Sequence, residues 1–229
     1  MSNLKAEAEP VIYMVDDDPA FGHTLVELVR ALGYEARLFD SAEELLVGIA
    51  ADCPGCVILD IRLPGMDGLE VQQRMTERGI ALPVIVLTAY AETSLTVRSL
   101  RNGAVTVLDK PFHREDLSSS IREAVRLSQQ EYHRRLHLKT LETRLRTLSS
   151  GDRTVLRLML DGHKNRSIAR HLEVSLRTVE NRRRRVFTVM QAPSIAQLTR
   201  MIVEYEHHLL PQEDLQESWL SLPFERVAL

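Results

Sequence analysis

The sequence predicts a five-stranded parallel α/β sheet covered on both faces, followed by a long helix and a small all-α domain. Three observations carry this. Five short apolar runs alternate with amphipathic segments through the first half, residues 113–148 contain neither Gly nor Pro, and four short helical patterns follow in a basic region.

The runs are VIYMV (11–15), EARLF (35–39), CVILD (56–60), PVIVLT (83–88) and AVTVLD (104–109). They have strand length and are too continuously apolar to leave one face wet, the character of a parallel sheet between helical layers. FGHTLVELVRAL and SAEELLVGIA, lying between runs, place apolar residues at helical spacing. Asp18 followed by Pro19 reads as the N-cap and first residue of the first helix.

Residues 113–148 then read as one long helix or two nearly collinear ones. Leu117, Ala124, Leu127, Leu138, Leu141, Leu145 and Leu148 fit a seven-residue repeat that Glu131 and Arg134 interrupt. Two readings stand: a seam for a homodimer, or a lone linker helix lying against a neighbouring domain. From Ser149 the pattern shortens. LSSGDRTVLRLMLDG opens on a Ser-rich cap and stops at Gly162, and NRSIARHLEV is brief; SLRTVENRRRRVFTVM starts with Ser175 as N-cap, and PSIAQLTRMIVEYEHHL opens at Pro193 and Ser194. The tail carries Trp219, Leu222 and Phe224, apolar residues whose docking place the sequence leaves open.

With 44% hydrophobic and 27% charged residues, the 229-residue chain has the composition of a soluble globular protein. No apolar stretch approaches the roughly 20 residues that span a bilayer. MSNLKAEAEP lacks the basic start and apolar middle of a signal peptide, so the expected location is the cytoplasm, with no membrane partner. The two cysteines, Cys53 and Cys56, form a CPGC motif that leads into a strand, whereas a reactive redox pair sits at a helix N-terminus. A loop thiol and a half-buried strand thiol are the expectation. The net charge of −3 conceals a division: residues 1–131 hold 12 basic against 21 acidic side chains, residues 132–205 hold 16 against 6, and residues 206–229 hold 1 against 5. An acidic module thus precedes a basic one, and the basic one points to nucleic acid.

Ligands of open parallel sheets bind beyond the carboxyl ends of the strands. Those ends carry Asp16 and Asp17, then Asp60, Thr88 and Lys110. Three carboxylates converging on one edge, with a hydroxyl and an ammonium opposite, make an oxygen-rich site suited to Mg²⁺. A carboxylate is also a nucleophile that can accept a phosphoryl group, and the cation, Lys110 and Thr88 would offset the added charge.

VDDD, ILDIRLPGMDG, VIVLTAY and LDKPF together resemble the receiver domain of bacterial response regulators, over roughly residues 10–126. The resemblance implies an α/β receiver of flavodoxin-like fold, with Asp60 as phosphoacceptor. It implies that Asp17 and Asp60 bind Mg²⁺ directly with the backbone carbonyl of Arg62, that Asp16 acts mainly through water, and that Thr88 and Lys110 contact the phosphoryl oxygens. Pro64, Gly65 and Gly68 would be turn formers, and the Lys110–Pro111 bond is often cis in the family. Haloacid-dehalogenase-type phosphatases also use an Asp after a strand, but need a second Asp two residues on; Arg62 stands there, so turnover of an external phosphoester is not expected. Only phosphorylation and dephosphorylation of Asp60 itself is. One departure is Val107, where receivers of this type carry Phe or Tyr three residues before the lysine. A valine has little to swing, so coupling is expected through the loop near Tyr90 or helix 92–102.

In the basic part, NRSIARHLEVSLRTVENRRRRVF reads as two short helices joined by a turn near Glu173 and Val174, the second suited to a DNA major groove. Arg182 to Arg185 spread around a helix and cannot all face one groove, so some must clamp phosphates or pair structurally. The segment from Leu148 to about Glu204 resembles the LuxR-type helix-turn-helix domain of the NarL/FixJ class of response regulators, through LSSGDRTVLRLMLDG, Asn165, Ile168, Ala169, Ser175, Arg177, Thr178, Val179, Asn181 and Val186. That resemblance implies DNA contacts at Asn165, Arg177, Thr178, Glu180, Asn181, Arg183 and Arg184, with Val179 and Val186 in the core. The expected organisation is an N-terminal extension (1–9), a receiver (10–126), a helical linker (127–147), a helix-turn-helix domain (148–205) and a tail (206–229). The expected partners are DNA, a sensor histidine kinase and a second copy of the chain. The alternative is a constitutive DNA-binding or protein-interaction module whose receiver is seldom phosphorylated; a thiol redox protein built on Cys53 and Cys56 is a third reading.

Overall fold

The computed structural model describes residues 8–50, 53–89 and 93–209. Tyr90, most of the N-terminal extension, and residues 210–229 of the tail, with Trp219, Leu222 and Phe224, lie outside the described residues, whereas residues 206–209 belong to the last helix. By contacts, the chain divides into two units, Met1–Arg134 and Arg135–Leu229.

In the first unit, strands β1 (Val11–Val15), β2 (Glu35–Phe39), β3 (Gly55–Asp60), β4 (Val84–Thr88) and β5 (Ala104–Asp109) form one parallel sheet in the order β2-β1-β3-β4-β5. Two strand starts differ from the sequence expectation by one residue. Pro83 lacks an N–H and only accepts, from Val57 N–H at 2.9 Å, so β4 begins at Val84; β3 begins a residue early, at Gly55. A β-carbon at position 55 would collide with the Val11 carbonyl oxygen, which is why glycine starts that strand.

Along the central strands, alternate residues enter opposite cores. Tyr13, Val15, Val57, Leu59 and Val86 face a cluster completed by Leu45, Leu46, Val71 and Met75 of α2 (Ala42–Gly48) and α3 (Gly68–Glu77). Ile12, Met14, Ile58, Ile85 and Leu87 face the other, completed by Leu25 and Val29 of α1 (Pro19–Ala31) and Leu117, Ile121, Ala124 and Val125 of α5 (Arg114–Thr147). α4 (Thr93–Arg101) connects β4 to β5. Burial on both faces is the physical reason β1, β3 and β4 read as continuous apolar runs, whereas the edge strands β2 and β5 are only partly buried and β2 carries the exposed Glu35 and Arg37.

The second unit contains the end of α5, then α6 (Ser150–Leu160), α7 (Asn165–His171), α8 (Leu176–Met190) and α9 (Ile195–Leu209). Leu138, Leu141, Leu145 and Leu148 are buried in its core with Val155, Leu156, Ile168, Val179, Val186, Met190, Leu198 and Ile202. This overturns the seam reading of the leucine repeat. Leu117 and Ala124 are spent in the α/β core and the four later leucines in the helical core; of the repeat, Leu127 alone is substantially exposed, at 36%. A repeat of seven is equally produced by two successive segments of one helix, each facing its own core.

CPGC leads into β3 as expected, and both thiols are free. Cys53 lies 3.4 Å from the Tyr13 hydroxyl, while Cys56 is fully buried and its thiol is pushed up to about 12 by burial. A thiol held protonated by burial is a poor nucleophile. Treatment of the folded protein with iodoacetamide should therefore label Cys53, with Cys56 following only on unfolding. Rapid double labelling, or a Cys53–Cys56 disulfide in the mass spectrum, would restore the redox reading.

Candidate functional site

The order β2-β1-β3-β4-β5 reverses direction between β1 and β3, and open parallel sheets take their ligands beyond the carboxyl ends of the strands at such a reversal. Asp16 and Asp17 follow β1 and Asp60 ends β3, so the two acidic segments meet at this point. One carboxylate oxygen from each of Asp16, Asp17 and Asp60 lies within 4.8 Å of the others. Asp16 and Asp60 are 4% and 8% exposed, whereas Asp17 is open to solvent.

Backbone donors hold the buried pair: Asp18 N–H donates to Asp16 Oδ1 and Arg62 N–H to Asp60 Oδ1, both at 2.9 Å. Asp18 takes a different role, its carboxylate accepting from Ala20 N–H and Phe21 N–H as the N-cap of α1, with Pro19 behind it. Gly68 secures the other side. A β-carbon there would lie 2.9 Å from the Asp60 carbonyl oxygen and from Ile61 Cα, so glycine lets the start of α3 press against the end of β3.

Lys110 is the cation among these carboxylates. Its Nζ donates to Asp16 Oδ2 at 2.8 Å and Asp60 Oδ2 at 2.5 Å, and sits 4.0 Å from the centre of the Phe21 ring. Its backbone N–H donates to the Thr88 carbonyl at 2.7 Å, tying the ends of β4 and β5 together, and the Lys110–Pro111 bond is cis. Burial pushes the Asp16 carboxyl up against the lowering effect of Lys110 and the Asp18 amide. Burial opposes the charge on Lys110, but the two carboxylates outweigh it and raise its pKa. Thr88 is buried at 3% exposure. Phe21 is the residue that sequence reasoning missed; the available signal was an aromatic side chain in the first turn after the Asp-Pro cap. Val107 is half-buried and packs against the core that contains Val86, its cross-strand neighbour.

In the second unit, α7 and α8 are joined by a turn in which Glu173 is left-handed, at φ 53°. With Val179, Val186 and Met190 fully buried, the opposite side of α8 presents Arg177, Asn181 and Arg184, with Glu180 beside them, all exposed. Arg183 and Thr178 are half-buried; Thr178 N–H donates to the Ser175 cap and the two hydroxyls meet at 2.8 Å. Asn165 is the half-buried first residue of α7.

The arginine run divides as its spacing required. Arg182 lies over Gly151, where a β-carbon would come within 2.6 Å of its guanidinium carbon, and Arg185 Nε is 3.4 Å from Asp152 Oδ2. Asp152, 3% exposed, also accepts from the Ser149 N–H and hydroxyl in the capping box of α6.

Residues 12–122 match the response regulator receiver domain family, and residues 146–202 match the bacterial regulatory proteins of the luxR family. The chain is 34% identical over 190 residues to the transcriptional regulatory protein FixJ of Bradyrhizobium diazoefficiens, covering 83% of this chain and 93% of that protein. It is 36% identical over 143 residues to the response regulator protein TmoT of Ectopseudomonas mendocina, covering 62% of this chain. That match spans 65% of TmoT, less than two thirds of its length. Among solved structures, the response regulator StyR superposes with a TM-score of 0.81 at 31% identity, covering 86% of this chain and all of that one.

Proposed function

The chain belongs to the response regulators that join a receiver to a LuxR-type DNA-binding domain, and from that premise we propose a phosphorylation-controlled transcriptional regulator whose phosphoacceptor is Asp60. The observation that carries the reading is the meeting of Asp16, Asp17, Asp60 and Lys110 at the point where the strand order reverses. The side-chain donors are all carboxylate oxygens, which fits a hard divalent cation such as Mg²⁺. Asp16, Asp17 and Asp60, with the backbone carbonyl of Arg62, would hold it, and it would neutralise charge on the phosphoryl oxygens.

The side chains of this unit supply the rest. An Asp60 carboxylate oxygen attacks phosphorus, the bond from phosphorus to the donor's leaving group breaks, and a sensor histidine kinase is the donor class the family implies. Lys110, already bonded to Asp60, is placed to follow the new negative charge, and Thr88 ends the neighbouring strand on the same edge. No described helix is long and apolar enough to cross a membrane. In the second unit, Arg177, Asn181 and Arg184 form the face of α8 suited to base edges, with Glu180 beside them. Asn165, Thr178 and Arg183 would act from the rim of that surface. Binding to paired half-sites would use two copies of the chain.

The test couples the two activities. The tightest-binding duplex that the protein selects from a random DNA pool is titrated with and without a small acyl phosphate and Mg²⁺. Phosphorylation should shift the affinity about 5–150-fold, the range of ordinary coupling energies, and leave Asp60→Asn unmoved. No shift, or an equal shift in Asp60→Asn, would favour a constitutive DNA-binding module instead.

A further inference from the structure

The C-terminal end of α8 closes without the glycine that helices commonly use. Its cap, Gln191, is left-handed at φ 53° and ψ 37°, a conformation in which a β-carbon is unfavourable. The amides of Gln191 and Ala192 turn back to Thr188 and Phe187 carbonyls. The Met190 carbonyl, one of the last in the helix, is met from elsewhere: Arg144 Nη1 donates to it at 3.1 Å, and Arg144 Nη2 donates to Gln191 Oε1 at 2.5 Å.

Arg144 is on α5, between Leu141 and Leu145, which are buried in the same core as Val186 and Met190. The fork is therefore anchored on both sides, and its positive charge lies at the negative end of the α8 dipole. Elsewhere α8 is held by the Ser175 cap and by Arg185 against Asp152. Arg144 also precedes residues 146–202, the segment matched to the luxR family.

We propose that Arg144 is a positioning residue for DNA recognition: it fixes the last turn of α8, and so the setting of Arg177, Asn181 and Arg184, without touching DNA. The proposal rests on the DNA-binding reading above. Its guanidinium substitutes for the cap glycine, holding the left-handed turn by bonding both the last helical carbonyl and the cap side chain.

The experiment uses the full chain as Arg144→Ala, Arg144→Lys and Arg144→Ala with Gln191→Gly. Each is measured by amide hydrogen exchange and by binding to the selected duplex and a scrambled duplex across a salt series. In Arg144→Ala, protection of the Gln191 and Ala192 amides should fall about tenfold. The ratio of selected to scrambled affinity should also fall about tenfold, while the slope of log affinity against log salt stays put because no phosphate contact is lost. Adding Gln191→Gly should restore both, since glycine adopts the cap unaided. Arg144→Lys, which keeps the charge but not the fork, should fall between. Unchanged protection, a salt slope shallower by about one, or full wild-type behaviour in Arg144→Lys would overturn the proposal. Should the wild type select no duplex, the DNA reading fails, and exchange at Gln191 and Ala192 still decides whether Arg144 clamps α8.

Discussion

Lys110→Met should lower the unfolding free energy of the α/β unit by about 2–3 kcal/mol at neutral pH in the absence of divalent cations, somewhat below the roughly 3–5 kcal/mol typical of breaking a fully buried ion pair. The discount reflects solvent access: the Lys110 side chain is 21% exposed, although those of Asp16 and Asp60 are only 1% and 11% exposed. The loss arises because two carboxylates keep their buried places without the ammonium that now bridges them, and a third, Asp17, stands within 4.8 Å. A methionine of similar length preserves contact with Phe21, so the effect isolates charge from packing. Mg²⁺ should recover part of the loss, by binding the folded cluster and not the unfolded chain. Urea titrations with and without Mg²⁺ measure both quantities. Wild-type stability in the variant, or a variant indifferent to Mg²⁺, would mean that the carboxylates do not act as one electrostatic unit.

The second large effect belongs to the basic unit. Neutralising about 6–10 phosphates would make affinity for duplex DNA fall by roughly 10³ or more between about 50 and 200 mM salt. The excess of 16 basic over 6 acidic side chains in residues 132–205 supplies the charge. Single substitutions should then separate roles within the arginine run. Arg184→Ala, on the exposed face, should lose about 1–3 kcal/mol on the preferred duplex if it reads a base. Arg185→Ala should act through its pairing with Asp152 and show more in thermal stability than in sequence preference. Fluorescence anisotropy over a salt series, set beside thermal unfolding of each variant, checks both. Salt-insensitive binding would remove DNA as the partner.

Much of the fold was legible because each local signal agreed with the next. The β1 and β3 runs end in carboxylates, Asp18-Pro19 marks the start of α1, and Ser149 and Ser175 mark the starts of α6 and α8. The convergence of Asp16, Asp17, Asp60 and Lys110 also followed from the sequence, since a parallel sheet places all its strand ends on one edge. What stayed hidden needed partners far along the chain. The leucine repeat of α5 could not reveal that its two halves serve different cores, because periodicity specifies a face and not what covers it. The arginine run could not be divided without knowing that Gly151 and Asp152 of α6 face Arg182 and Arg185. Phe21 beneath the Lys110 ammonium, and Arg144 at the end of α8, are likewise contacts of long sequence separation, formed between side chains with no shared motif.

The most direct measurement is tandem mass spectrometry of the full chain after incubation with a small acyl phosphate and Mg²⁺, with chelator and Asp60→Asn as controls. One phosphoryl group located on Asp60, absent from both controls, is the result expected if these carboxylates form a single cation-dependent acceptor site. A phosphoryl group on another residue, or labelling of Asp60 that ignores the chelator, would contradict it.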